Sequence, residues 1–259
     1  MSGVRIHPTA LVDPGAELGV DVEIGPYAIV GPGVTMGDRC VLAPHAIVER
    51  NVRLGAGCRV GTGSVVGGDP QDLKWKGEET WVEVGDASVI REYSTINRGT
   101  AQSWKTTVGR KCLVMSYVHL AHDCHIGDEV ILSNCAQLAG HVIVSERAII
   151  GGSSGVHQFV KIGAYAFIGG MTRVSKDVPP YVKAVGSPMR SYGLNSVGLE
   201  RRGIPRETVQ ELRKLYSLFF RSKLNVSQAL ERARAELRPL PEVLLFLKFV
   251  EESDRGVLV

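Results

Sequence analysis

Aromatic side chains are scarce in this chain: Phe, Tyr and Trp make up 6% of its 259 residues. A core built on large rings is thereby excluded, and the apolar interior has to be aliphatic. An excess of one charge sign is missing too. A net charge of +3 is too small for a nucleic-acid binder, although Arg and Lys gather toward the C-terminal end. The five cysteines contain no C-x-x-C pair, and an odd number is a poor disulfide framework. No basic segment followed by an apolar run opens the chain, and no apolar stretch approaches a membrane span. A cytoplasmic protein without stable membrane insertion is expected, long enough for one large domain or two unequal ones.

Glycine, by contrast, is plentiful at 30 residues, and it falls in step with a repeat. Counting in sixes from Ile6 gives Val12, Leu18, Ile24, Val30, Met36, Leu42 and onward to Val174. In that series only Asp72, Glu78 and Gln102 are not aliphatic. The following residue is often Gly, as at Gly19, Gly25, Gly37, Gly55, Gly109 and Gly127. Two residues before each aliphatic position stands a small one, such as Ala28, Cys40, Ala46, Cys58, Cys112 or Cys124. Those cysteines read as small buried residues. A hexapeptide period fits neither helix nor simple alternating strand; it is the signature of a parallel β-helix. Short strands supply one large and one small side chain to the interior. Gly and Asn/Asp are expected to ease the corners, and successive coils pair at the ~4.8 Å strand spacing.

The repeat is interrupted at 67–80 and 101–107, which read as loops projecting from the stack, places where function often resides. After Val174 the prolines of Asp177-Val-Pro-Pro-Tyr181 stop further pairing, and a Gly/Pro/Ser-rich segment covers 186–198. Helical periodicity then begins at Arg206, with Val209, Leu212, Leu215, Tyr216 and Phe219 as the apolar stripe. A second helix is expected over 227–237 with Ser227 as N-cap, and a third over 241–252 with Pro241 in its first turn. The division is a mainly β, parallel β-helix domain at 1–190 and a helical domain at 191–259.

One group of residues has no place in a regular scaffold. His119, His122, Asp123, His125 and His141 stand within an otherwise aliphatic stretch. Titratable side chains gathered on a rigid frame point to a reaction site. The hexapeptide pattern, Leu120-Ala-His-Asp-Cys124, Leu138-Ala-Gly-His141, the 67–78 loop GGDPQDLKWKGE, His157-Gln-Phe159, DVPPY and Gly198-Leu-Glu-Arg-Arg-Gly203 closely resemble the UDP-N-acetylglucosamine 3-O-acyltransferase family over nearly the whole chain.

That resemblance implies a left-handed β-helix, a homotrimer and active sites between neighbouring subunits. It further implies transfer of a 3-hydroxyacyl chain from acyl carrier protein to the sugar's 3-hydroxyl, the first step of lipid A biosynthesis. The acyl carrier protein thioester is then the donor, with no cofactor and no metal. His122 matches the general base, Asp123 its orienting partner, Gly140 the oxyanion donor and Lys74 a catalytic loop cation. Asp72, His119, His141, His157, Gln158, Asn195, Arg201 and Arg202 match substrate-binding positions. Gly170, with Phe167 close by in sequence, matches the position that limits acyl length. His125 has no matching role and reads as surface. The basic helical tail suits an acidic partner such as the carrier protein. In such a fold residues 18 apart lie on adjacent coils, so His122 should neighbour Gly140 and Asp123 should neighbour His141.

Asn97 and Val197 depart from the family pattern, which keeps N-acylation of a UDP-3-amino sugar as an alternative. A hexapeptide zinc enzyme of carbonic-anhydrase type, using His119, His122 and His141, is a further one. The sister N-acyltransferase normally carries an extra N-terminal domain, whereas here the repeat starts at Ile6. A catalytically silent scaffold would have no need of His122, Asp123 and Lys74.

Overall fold

Every strand pairing in the coil region follows from the repeat. The computed structural model describes residues 3–259. Ile6 lies beside Ile24, Ile24 beside Leu42 and Leu42 beside Val60, an offset of 18 residues per coil. The chain winds as a left-handed parallel β-helix with three sheets of 11, 9 and 8 strands as its faces among the described residues. These are called the first, second and third sheets below. The aliphatic residue of each hexapeptide points inward, as Ile90, Ile96, Leu120, Leu132, Leu138 and Ile150 illustrate at 0–1% exposure. Each such side chain contributes about 1.5–3 kcal/mol of burial. The cysteines at the small position, Cys40, Cys58, Cys112 and Cys124, are buried and unbridged, while Cys135 is exposed.

The insertions keep the phase because both are whole hexapeptides. Val60 pairs with Ile90, an offset of 30, and 30 − 18 = 12; Ile90 pairs with Val114, an offset of 24, and 24 − 18 = 6. Their limits differ slightly from expectation. Strands Val65–Gly68 and Trp81–Val84 leave the first loop at 69–80, and strands Thr95–Asn97 and Lys105–Val108 leave the second at 98–104. Lys105 and Thr106 are strand residues because they pair with Trp81 and Val82. Both loops leave the same edge of the prism, between the second and third sheets.

The corners accept more residue types than the Gly and Asn/Asp expected there. Left-handed φ values fall on Tyr27, Arg39, His45, Asp123 and His141, among many others. Their conformation is held by bonds between coils, for example Arg39 N–H to Val20 O at 2.8 Å and His45 N–H to Pro26 O at 2.9 Å. Gly33, Gly57 and Gly63 take the same left-handed corner positions, as do Asp21 and Asn51, and glycine is needed besides where coils approach closely: a Cβ on Gly127 would stand 2.6 Å from Glu146 N.

Beyond Val174 the coil closes with strand Val182–Val185, parallel to Phe167–Ile168 and antiparallel to Arg190–Leu194. A domain boundary at 190 would cut this hairpin, which continues the first sheet. Four helices follow: α1 (Ser196–Arg201), α2 (Arg206–Phe220), α3 (Val226–Glu236) and α4 (Pro241–Glu251). Helix α1 was hidden in a Gly/Pro/Ser-rich segment. Helix α3 begins one residue before Ser227, and its cap is Asn225, in a capping box with Gln228. Phe219 and Phe246 join α2 to α4 edge-to-face at 5.1 Å. The C-terminal segment returns to the last coil, where Leu258 N–H donates to Asp177 O at 2.8 Å.

Candidate active site

Corners between the second and third sheets stack His122–Asp123, Gly140–His141 and His157–Phe159 on successive coils. His141 N–H donates to His122 O at 3.1 Å, and Phe159 N–H donates to Gly140 O at 3.1 Å. The 18-residue test is met. A Cβ added to Gly140 would lie 2.7 Å from Cε1 and 2.8 Å from Nε2 of His122, so the imidazole rests directly over that glycine. The Gly140 N–H makes no hydrogen bond among the described residues and is available to a ligand.

His122 Nδ1 lies 2.8 Å from Asp123 Oδ2. With the proton on Nδ1 donated to the carboxylate, the Nε2 lone pair faces the cleft. Asp123 is buried, and the same carboxylate accepts Thr100 N–H at 2.9 Å, Thr100 Oγ1–H at 2.7 Å and the Ser103 hydroxyl. Burial opposes its charge, but the hydrogen bonds from His122, Ser103 and Thr100 prevail and hold its pKa well below the usual carboxylate range. Its own N–H donates to Thr106 Oγ1 at 2.9 Å. Thr100, Ser103 and Thr106 were not foreseen, since hydroxyls in a polar loop carry no distinguishing signal.

His141 stacks on Phe159 at 4.4 Å and meets His122 edge-on at 5.0 Å. Burial lowers its pKa, as it does for His119 and His125. His119 projects from the second sheet, with Nδ1 2.7 Å from Thr95 Oγ1. His125 lies on the third sheet, with Nδ1 3.0 Å from Thr107 Oγ1. It is half-buried rather than open surface. Each of these three rings favours the neutral form.

A cleft of about 580 Å3 runs from this edge across the second sheet, lined by His119, His122, Gly140, His157 and Gln158. Gln71 of the long loop and Arg173 also line it, and neither was foreseen. Asp72 and Lys74 belong to the same loop, where Asp72 Oδ1 accepts Lys74 N–H at 2.9 Å. The Lys74 side chain is exposed and does not line the cleft of its own chain.

Other expected site residues lie elsewhere. Asn195 is buried and caps α1, accepting Gly198 N–H at 3.2 Å and donating to Tyr165 O at 3.0 Å. Arg202 pairs with Glu129, which also takes Arg147, at the edge between the third and first sheets; Arg201 is exposed in the last turn of α1. Gly170 sits at the edge between the first and second sheets, where an added Cβ would meet only Gly152 within 3.4 Å. Phe167 projects from the first sheet beside Ile149 and Lys183, a different face from the cleft, so it cannot fill the cleft of its own chain. The three-histidine zinc set does not assemble either. Among the described residues the clustered donors are His122, Asp123 and His141, within 4.8 Å of one another, whereas His119 is outside that cluster.

A family profile described as Udp N-acetylglucosamine O-acyltransferase, Domain 2, matches residues 177–258, and the bacterial transferase hexapeptide profile matches 105–140. The acyl-[acyl-carrier-protein]–UDP-N-acetylglucosamine O-acyltransferase of Burkholderia orbicola is 49% identical over 98% of this chain and 99% of its own. The UDP-N-acetylglucosamine acyltransferase structure from Bacteroides fragilis superposes with a TM-score of 0.96 at 39% identity, covering 98% of this chain and all of that one. The UDP-N-acetylglucosamine O-acyltransferase of Moraxella catarrhalis does so with a TM-score of 0.94 at 40% identity, covering 98% and 99%.

Proposed function

Because this chain belongs to the acyl-[acyl-carrier-protein]–UDP-N-acetylglucosamine O-acyltransferase family, we propose that the His122 cleft is where its reaction takes place. The chain transfers an acyl group from acyl carrier protein to UDP-N-acetylglucosamine. The group is a 3-hydroxyacyl chain, the acceptor is the sugar's 3-hydroxyl, and the step opens lipid A biosynthesis. The observation that carries the mechanism is the pairing of His122 Nδ1 with buried Asp123 at 2.8 Å while the ring's other edge overlies Gly140.

In this reading Nε2 takes the proton of the acceptor hydroxyl as its oxygen attacks the thioester carbonyl. The tetrahedral oxyanion receives the Gly140 N–H. Collapse breaks the C–S bond, and the imidazolium returns its proton to the leaving thiolate of the carrier protein. Asp123 stabilises the imidazolium between these two transfers. The thioester already supplies an activated acyl group, so no cofactor is called for. Among the described residues no helix is long and apolar enough to cross a membrane.

A homotrimer completes the site. Arg202 lies at the edge between the third and first sheets, away from His122's corner, and Arg201 beside it is exposed, which supports delivery of these arginines, and of Lys74, to the cleft by adjoining copies, while Asn195 stays buried as the cap of α1. Asn97 has a structural task, donating its amide to Asp69 O at 2.7 Å at the root of the long loop, whereas Val197 is exposed on α1, the helix that also carries Arg201; the amino-sugar alternative is decided by the acceptor assay.

The test is transfer from a series of 3-hydroxyacyl carrier proteins to UDP-N-acetylglucosamine and, in parallel, to its 3-amino analogue. The parent should acylate the hydroxyl sugar, and His122→Ala should lose roughly 10²–10⁴-fold in kcat. Near-parent turnover by His122→Ala would sink the mechanism, and exclusive use of the amino sugar would sink the acceptor assignment.

A further inference from the structure

Corner aspartates recur along this stack with a simple structural task. Asp38, Asp86 and Asp128 accept one backbone N–H each from the preceding coil, those of Val20, Ala56 and Arg110, at 2.9, 2.8 and 2.8 Å. Asp38 and Asp86 are exposed, and Asp128 is partly so. Asp123 differs in kind. It is 1% exposed, and besides Thr100 N–H it takes two hydroxyls, those of Thr100 and Ser103, together with His122. Those extra donors come from the six-residue insertion, in the coil directly before the His122 corner.

We propose that Thr100 and Ser103 are positioning residues for acyl transfer: their hydroxyls clamp Asp123 and thereby set the direction and basicity of His122. The proposal rests on His122 acting as the base. A carboxylate held by one imidazole alone can turn about its terminal bond and let the ring swing. Four donors fix its plane, and His122 with it. They also disperse the negative charge of the carboxylate that faces Nδ1. The Ser103 hydroxyl has a second acceptor at hand, Lys105 O at 3.0 Å, but the carboxylate is the charged one. Other charges around the pair stay unchanged when Ser103 is replaced. They are His141 in front, 3.6 Å from Asp123 Oδ2, His119 on the second sheet, His125 and Lys105 on the third, and Asp72 from the long loop.

The experiment measures kcat, KM and the pH profile of kcat/KM for Ser103→Ala, Ser103→Thr and Thr100→Ser, with His122→Ala as reference and thermal unfolding of each. Ser103→Ala should lower kcat by about tenfold, the scale of one charge-assisted hydrogen bond, with KM within about twofold. Its acid limb should move to higher pH, because a less dispersed Asp123 charge favours the His122 imidazolium. Ser103→Thr and Thr100→Ser, which keep the hydroxyls, should restore both. A Ser103→Ala enzyme with parent kcat and parent acid limb overturns the clamp while His122→Ala remains inactive. A fall in kcat accompanied by lowered melting temperature and an unmoved acid limb also overturns it, since that is scaffolding alone. If His122→Ala is active, the general-base reading fails instead, and the two failures are told apart.

Discussion

Position 140 can hold no side chain without touching the imidazole. A Cβ there would come within 2.7–2.8 Å of two His122 ring atoms, and the ring cannot simply retreat, because Nδ1 is tied to Asp123. Gly140→Ala therefore separates coil stability from chemistry. The fold should persist, since the Gly140 carbonyl keeps Phe159 N–H. Turnover should fall by roughly 10²–10⁴-fold, the usual range for a general base pushed out of position, because the Cβ displaces the imidazole while the backbone N–H is kept. Steady-state kinetics and a melting curve on the same preparation check this. If Gly140→Ala retains near-parent kcat, the working imidazole does not rest on position 140. The histidines that mark this site were legible because an aliphatic repeat gives them no scaffolding task. Thr100, Ser103 and Thr106 were not, because hydroxyl residues in a short polar loop look alike until their partner is known.

At the scale of elements, the coils could be read from the sequence through both interruptions, since insertions of whole hexapeptides leave the inward positions in phase. What periodicity cannot give is where strands resume or which coil residues secure a loop. Arg98 is such a residue. It is 2% exposed, its N–H donates to Gly68 O at 2.8 Å, and its guanidinium donates to Gly67 O and the Asp69 carboxylate. Asn97 adds its amide to Asp69 O. Together they fasten the root of the loop that brings Gln71 to the cleft. Removing the guanidinium in Arg98→Leu leaves the buried Gly67 carbonyl without that donor, at a cost of about 1–3 kcal/mol. Amide exchange should quicken across 69–80 with the coils still protected, and KM for the UDP-sugar should rise more than kcat falls. Unchanged protection in the loop would show that other contacts hold it. The helical region was less legible. Asn225 and Gln228 form the capping box of α3, a pattern that stands in the sequence two residues ahead of Ser227. The hairpin and α1 were masked by glycine and proline.

For the whole molecule, the edges of the prism carry different residues, and the proposed trimer is what would bring them together. His122 and Gly140 occupy the edge between the second and third sheets. Arg202 is held by Glu129 on the edge between the third and first, so one chain cannot close its own arginines over its own base. In a closed threefold ring each cleft would instead combine the His122 edge of one copy with the Arg202 edge of its neighbour. Mixing subunits tests this directly. His122→Ala and Arg202→Ala chains, each nearly inactive alone, are unfolded together in equal amounts and reassembled. A site then works only when the subunit giving His122 and the neighbour giving Arg202 are both intact there. With random assembly that holds for about one site in four, so roughly a quarter of parent activity should return. No recovery in reassembled mixed trimers would mean that both groups serve a cleft from the same chain, or that Arg202 acts only through its Glu129 pair. Recovery near one quarter would make the oligomer part of the catalytic unit, with Arg202 working in the cleft of a neighbouring copy.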